Sequence, residues 1–415
     1  MKYPKGAMLI FFIFLTYTSF GGIDDVYKRQ FTFDFALILR IFVSVFFTAF
    51  FALKLILARR AIYKLILDHS TFFFYALTAL VAALINYSPL QSYYFTATLF
   101  YPFFVVGWLN HISATSDSLI EKTMLGFISW FSLLFISTVL SILVDPVESL
   151  RLNSDFRLRS NLISVGSNGL SWISLLFILM IFLVRPIFDF RFILSVLAPV
   201  VFIFLTQSRT TFVIIIFLAI YSVYAKGRRR SLSQYFSVVS IVLLSVILSI
   251  GFTQELVLGF TRGETQFASL SGRTLIWEYM LQGFLLKPWL GWGLWNGVNQ
   301  LLSGTQFEFI SGVHSSVVEV IVSTGIVGFI FWSAYFSNLF LSFRFKLTRI
   351  DDRFTRRRVL VLRLLGIAYL GKIFTSSEMI YADPSFFILV ALIFINKRIF
   401  AELSYRQSLR WARTG

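Results

Sequence analysis

The chain has no cysteine, only three histidines and eight prolines, and few charged residues at 14%. Without thiols there is no disulfide framework, no thiolate nucleophile and no thiolate metal site. A water-soluble fold is excluded as well. Residues are 57% hydrophobic, mean hydropathy is +0.80, and apolar runs of membrane-spanning length recur throughout. The runs lack the ten-residue alternation of an outer-membrane barrel, and a backbone in lipid must satisfy its own hydrogen bonds, so the spans are expected to be helices. Repeats of fixed period and Pro- or Ser-rich linkers are missing, which points to a single membrane domain over 1–415. There is no paired-histidine helix and no Asp-x-Asp on the expected outer face, so no metal and no cofactor is expected.

What is present is an all-α, polytopic pattern. Apolar runs at 7–20, 33–57, 71–87, 91–108, 123–144, 166–184, 192–206, 210–225, 233–251, 314–343, 359–375 and 384–396 predict about twelve transmembrane helices. The formal charge of +17 does not form a contiguous patch, so nucleic acid is not an expected partner; membrane lipids are. Lys2 and Lys5, Arg59, Arg60 and Lys64, Arg185 and Arg191, Lys226 with Arg228 to Arg230, the stretch from Arg344 to Arg358, and Lys397 with Arg398 fall on one side. The positive-inside rule makes that side, and both termini, cytoplasmic. Arg151, Arg157 and Arg159 break the rule beside Asp145, Glu148 and Asp155, which can neutralise them.

The long polar-aromatic stretch 252–313 interrupts the apolar pattern on the outer side and is expected to form a helical cap. Ser271 can N-cap a helix running to about Leu286, with Lys287, Pro288 and Gly291 as its stop. Leu275, Ile276, Tyr279, Met280 and Phe284 would form its apolar side, and the helix would lie along the membrane interface.

Of the three histidines, His69 and His111 are placed in inner loops, and His314 alone stands at the outer mouth of a span. An imidazole, with an ordinary pKa near 6.5, can take a proton from a hydroxyl there; the plainer reading is a residue that caps the helix. On a continuous helix, Gly325 lies eleven steps on and nearly under His314, where the glycines would admit a neighbouring helix.

Arg209, in a turn between two apolar runs, either snorkels to head groups or faces a cavity. Arg273 sits in the first turn of the predicted cap helix, where the dipole repels a cation unless an anion lies between them; Glu264 or Glu278 could also partner it. Two guanidinium forks would match a diphosphate. Trp277, Trp289 and Trp292 are candidate glycan contacts or interface anchors, with Gly291 and Gly293 permitting close backbone approach. With no nucleotide motif, a donor must arrive already activated.

Across about 199–332 the chain resembles the O-antigen ligase and polymerase family of bacterial membrane glycosyltransferases. The resemblance is carried by Arg209 in a short turn, Ser271-Gly272-Arg273 with Trp277, Pro288 with Gly291 and Gly293, and His314 followed by Gly325. One departure is Val213, where the family often has leucine; it is read as a neutral packing change. The resemblance implies metal-independent, inverting transfer of a glycan from undecaprenyl diphosphate to a lipid or glycan acceptor, at the periplasmic face of the inner membrane. It further implies that His314 activates the acceptor hydroxyl while Arg209 and Arg273 bind the donor diphosphate. A ligase, with lipid A-core as acceptor, is the first reading and a repeat-unit polymerase the alternative. From another class, a lipid-linked sugar flippase is disfavoured because the polar residues crowd one face and not the midplane.

Overall fold

The computed structural model describes residues 35–86, 90–113, 115–150, 158, 167–184, 190–206, 208–224, 273–294, 296–303, 305, 313–345, 347, 350, 352–375 and 384–414. The expected spans at 7–20 and 233–251 and the expected N-cap at Ser271 lie outside them. Among the described residues every regular element is helical. In chain order they are α1 (Phe35–Leu57), α2 (Arg59–Asp68), α3 (Ser70–Ile85), α4 (Leu90–Ile112), α5 (Ser116–Val144), α6 (Pro146–Leu150), α7 (Ser167–Val184), α8 (Phe190–Thr206) and α9 (Arg209–Tyr224). There follow α10 (Arg273–Leu286), α11 (Asn296–Leu302), α12 (Ser316–Phe336), a 3-10 turn (Ser337–Arg344), α13 (Arg353–Ile373) and α14 (Pro384–Thr414). Three helical segments, Ser116–Val144, Ser167–Val184 and Ser316–Arg344, are long and apolar enough to cross a membrane. A fourth span results if α2 and α3, bent by 79°, are taken together.

The chain divides into two compact units. The first holds α1 to α4, the start of α5, nearly all of α10, then α11, α12 and α14. Here α12 packs along α3, and α1 along α4. Aromatic rings fill the interior: Phe72 stacks on Phe103 at 4.3 Å between centroids, and His69 on Phe394 at 4.0 Å. His69, expected in a loop, stands in the turn between α2 and α3, and its side chain is buried there. The two helices meet there at 79°, a bend that hydropathy cannot register.

Helix α14 runs well past the expected end near 396, and its extension has a structural use. Arg398 donates to Asn110 O at 2.8 Å and Ser113 O at 2.6 Å, the orphan carbonyls that end α4. One turn on, Glu402 accepts from the Ser116 backbone at 2.9 Å and its hydroxyl at 2.7 Å, capping the start of α5. A single turn of α14 therefore satisfies both ends of the α4–α5 connection.

The second unit holds the rest of α5, then α6 to α9, the first turn of α10 and α13. Helix α7 is its axis: every residue from Leu170 to Leu183 is buried. It packs along α8 and α9, and Phe131 of α5 stacks on Phe177 at 3.9 Å.

Candidate active site

The cap helix forms where the sequence predicts, from Arg273 to Leu286. Its inner side keeps four of the five expected residues, since Tyr279 and Phe284 pack beside Ile276 and Met280. Ile276, Met280 and Gly283 are buried and Leu275 is exposed. Gly283 joins this side because it has no side chain: an added Cβ would lie 2.5 Å from Leu301 of α11. Ile276 and Met280 join Val298, Leu302, Val313, Val318 and Val322 in one apolar cluster, seating the cap on the first half of α12.

Helix α12 is broken at Gly325, with φ 65° and ψ −170°. Gly325 therefore does not lie under His314 on a continuous helix, and the element that approaches it is a loop. The i to i−4 ladder would pair Ile326 N–H with Val322 O and Val327 N–H with Ser323 O. Instead, Ile326 N donates to Pro288 O at 2.8 Å and Val327 N to Trp289 O at 3.3 Å, while Trp292 N donates to Val322 O at 3.0 Å and Gly293 N to Ser323 O at 2.8 Å. Two lost helical rungs are replaced by four bonds to the loop that carries Pro288, Gly291 and Gly293. Irregular backbone in such a span needs this kind of internal satisfaction.

The glycines are required by contact distance. A Cβ on Gly325 would meet Trp289 O at 2.2 Å, and one on Gly291 would meet Val322 O at 2.5 Å. All three have left-handed φ, 68° at Gly291, 92° at Gly293 and 65° at Gly325. The close approach expected for a sugar is thus taken up by the helix backbone. Asn86, just after α3, holds the same loop: its Nδ2 donates to Gly291 O at 2.9 Å, and Lys287 Nζ donates to its Oδ1. Nothing in the sequence signalled this pair.

His314 is half-buried, two residues ahead of α12, and is the one non-glycine with positive φ (55°) among the described residues. The capping role belongs to Ser315, whose Oγ accepts from Val318 N at 3.5 Å. On the other side, Trp277 Nε1 donates to Val313 O at 2.8 Å. A backbone held in a sparsely populated conformation by its surroundings is typical of a functional position.

Trp277 thus uses its only donor inside the protein. So does Trp292, whose Nε1 donates to Gly283 O at 3.0 Å and whose ring faces Lys287 Nζ at 3.8 Å. Both are half-buried and tie the cap together. Trp289 is 70% exposed and keeps an open ring face. Arg273 is half-buried one turn before Trp277 on α10; burial lowers its pKa, although a guanidinium stays charged. Arg209 is the first residue of α9, as the short turn required.

Glu319 was missed. It is the only acid between His314 and Arg344, lies in the first turn of α12, and is 1% exposed. An acid inside an otherwise apolar run is the signal that could have found it.

Long apolar helices, with polar side chains gathered at helix starts and in a stitched cap, define an all-α integral membrane protein. A family model described as O-Antigen ligase matches residues 193–333, about a third of the chain, and the resemblance to the O-antigen ligase family is thereby shown. No curated protein matches the chain. The matched segment contains Arg209, Arg273, Trp277, both glycine motifs and His314. The match supports a membrane glycosyltransferase of ligase or polymerase type, working in polysaccharide biosynthesis on lipid-linked glycan.

Proposed function

We propose that the protein transfers a glycan from undecaprenyl diphosphate to an acceptor hydroxyl at the periplasmic face of the bacterial inner membrane, as an O-antigen ligase with lipid A-core as acceptor. It would do so within a bundle of about twelve spans, both termini cytoplasmic. The observation that carries this reading is the setting of His314. Its left-handed backbone lies between the Val313 carbonyl held by Trp277 and the Ser315 cap. Such a frame fixes an imidazole in place for proton transfer.

In the reaction, His314 takes the proton of the acceptor hydroxyl as that oxygen attacks the anomeric carbon. The bond from that carbon to the diphosphate oxygen breaks, and the configuration inverts. Undecaprenyl diphosphate leaves with its charge held by Arg209 and Arg273, by the forked hydrogen bonding that suits guanidinium to phosphate. No step calls on a metal. Trp289 offers a ring face to the glycan.

The test is reconstitution of the purified chain with an undecaprenyl-diphosphate-linked glycan and separate acceptors. Glycan transfer to lipid A-core that survives EDTA is expected. Extension of one lipid-linked chain by another would make the protein a polymerase. Transbilayer movement of the donor without a new glycosidic bond would remove the transferase reading.

A further inference from the structure

In the sequence Arg59, Arg60 and Lys64 belong to a short loop beside an apolar run. In the structure they belong to a helix, α2, which meets α3 at 79°. Helix α3 packs along α12, part of a segment long and apolar enough to cross a membrane. A helix nearly perpendicular to that pair lies along the membrane surface.

The neighbours of α2 set its level. Asn86, just past the far end of α3, holds the cap loop, so α2 stands at the opposite end. There Lys397 Nζ donates to Asp68 O in the last residue of α2, and the adjoining Arg398 donates to the carbonyls that end α4. Helix ends and basic side chains meet at this level, as they do where a bundle leaves the hydrocarbon.

Helix α2 has three sides. Leu65 is buried against α4, where a Cβ on Gly107 would lie 3.0 Å from it. At about 100° per residue Tyr63, Ile66 and Leu67 share a second side, and all three are exposed. Arg60 and Lys64, one turn apart, follow on the third, with Arg59 at the start of the helix; these cations are exposed too. Asp68 is the one acid in the helix, and the Lys397 ammonium already acts on it. An apolar side bordered by cations, on a helix lying in the plane, suits the boundary between headgroups and acyl chains and attracts anionic lipid. The long basic stems let their charges rise to the phosphates.

We propose that α2 is an interfacial helix that binds anionic phospholipid: Tyr63, Ile66 and Leu67 enter the leaflet away from the cap, and Arg59, Arg60 and Lys64 hold the lipid phosphates. The inference stands on the bend, the exposure and the charge, and it does not depend on the transfer reading.

The chain has no cysteine, so a fluorophore can be attached at one introduced residue. The full chain carrying bimane at Leu67→Cys is placed in vesicles of phosphatidylcholine and phosphatidylglycerol, with bromine on the acyl chains of one lipid at a time. Strong quenching by brominated lipid and weak quenching by aqueous acrylamide are expected. The reverse puts the helix in water and overturns the proposal. Quenching by neither means that protein covers this side, which overturns it as well. At equal bromine content phosphatidylglycerol should quench more than phosphatidylcholine, and adding Arg60→Gln with Lys64→Gln should lower that preference about threefold or more. Equal quenching by the two lipids, or a preference unchanged in the variant, overturns the headgroup site. If the variant does not fold, salt screens the same charges in the labelled chain: the preference should fall as ionic strength rises, and a salt-independent preference overturns the proposal.

Discussion

Trp277 and Val313 are 36 residues apart in the chain, yet the indole of one donates to the carbonyl of the other across 2.8 Å. The next residue is His314, with its left-handed backbone. The cap helix thus reaches the proposed base through a main-chain contact. Trp277→Phe removes that hydrogen bond, and its direct cost is about 1 kcal/mol. Its expected effect is on kcat, with donor KM nearly unchanged, in steady-state transfer assays. A glycan-contacting tryptophan would behave differently, raising KM with little change in kcat.

His314→Ala is expected to insert and fold as wild type while transfer slows by about 10²- to 10⁴-fold, the usual worth of general-base catalysis. Single-turnover transfer from pre-bound donor checks this. A mutant as fast as wild type would remove the imidazole from the mechanism.

Arg273→Lys keeps the charge and loses the fork. Donor affinity should fall more than thermal stability does, and a donor titration alongside a melting curve separates the two. Equal donor affinity would detach Arg273 from the diphosphate.

Gly325→Ala addresses the stitched break in α12. The new Cβ would sit at φ 65° and 2.2 Å from Trp289 O. Strain and the displaced loop should together cost on the order of 2–4 kcal/mol. A lower melting temperature should accompany faster amide exchange at Trp292 and Gly293. A variant as stable as wild type would show that the loop does not need this approach.

Arg398→Ala leaves the α4 carbonyls without their donor and Glu402 without its 3.7 Å ion-pair partner. A loss of about 1–3 kcal/mol is expected, with transfer per folded molecule unchanged. Reduced turnover at full folding would instead tie this cap to the reaction.

How much was legible varies with the kind of signal. The cap helix was readable at its stop, because Lys287-Pro288 is a local terminator and α10 does end at Leu286. Its inner face was readable at Ile276, Tyr279, Met280 and Phe284, but not at Gly283, which faces a neighbour that no helical periodicity reveals. The spans expected at 33–57, 71–87, 166–184 and 192–206 appear as helices within a few residues, since hydrophobic length is a local property. The end of α14 was missed because its last turns are polar and held in part by Arg398 and Glu402 acting on α4 and α5.

The residues alone determined a helical membrane chain, placed its polar interlude, and put an imidazole at the opening of a span, because burial in lipid and helix caps depend on side chains within a turn or two. Only the tertiary structure decided that Gly325 breaks that span and that Gly291 and Gly293 fill the break. It alone turned Trp277 and Trp292 inward and brought Lys372 within 5.5 Å of the Trp172 ring. These arrangements rest on backbone groups and on contacts between distant segments. Every residue but proline carries the same N–H, so nothing in a sequence marks which carbonyl it will find.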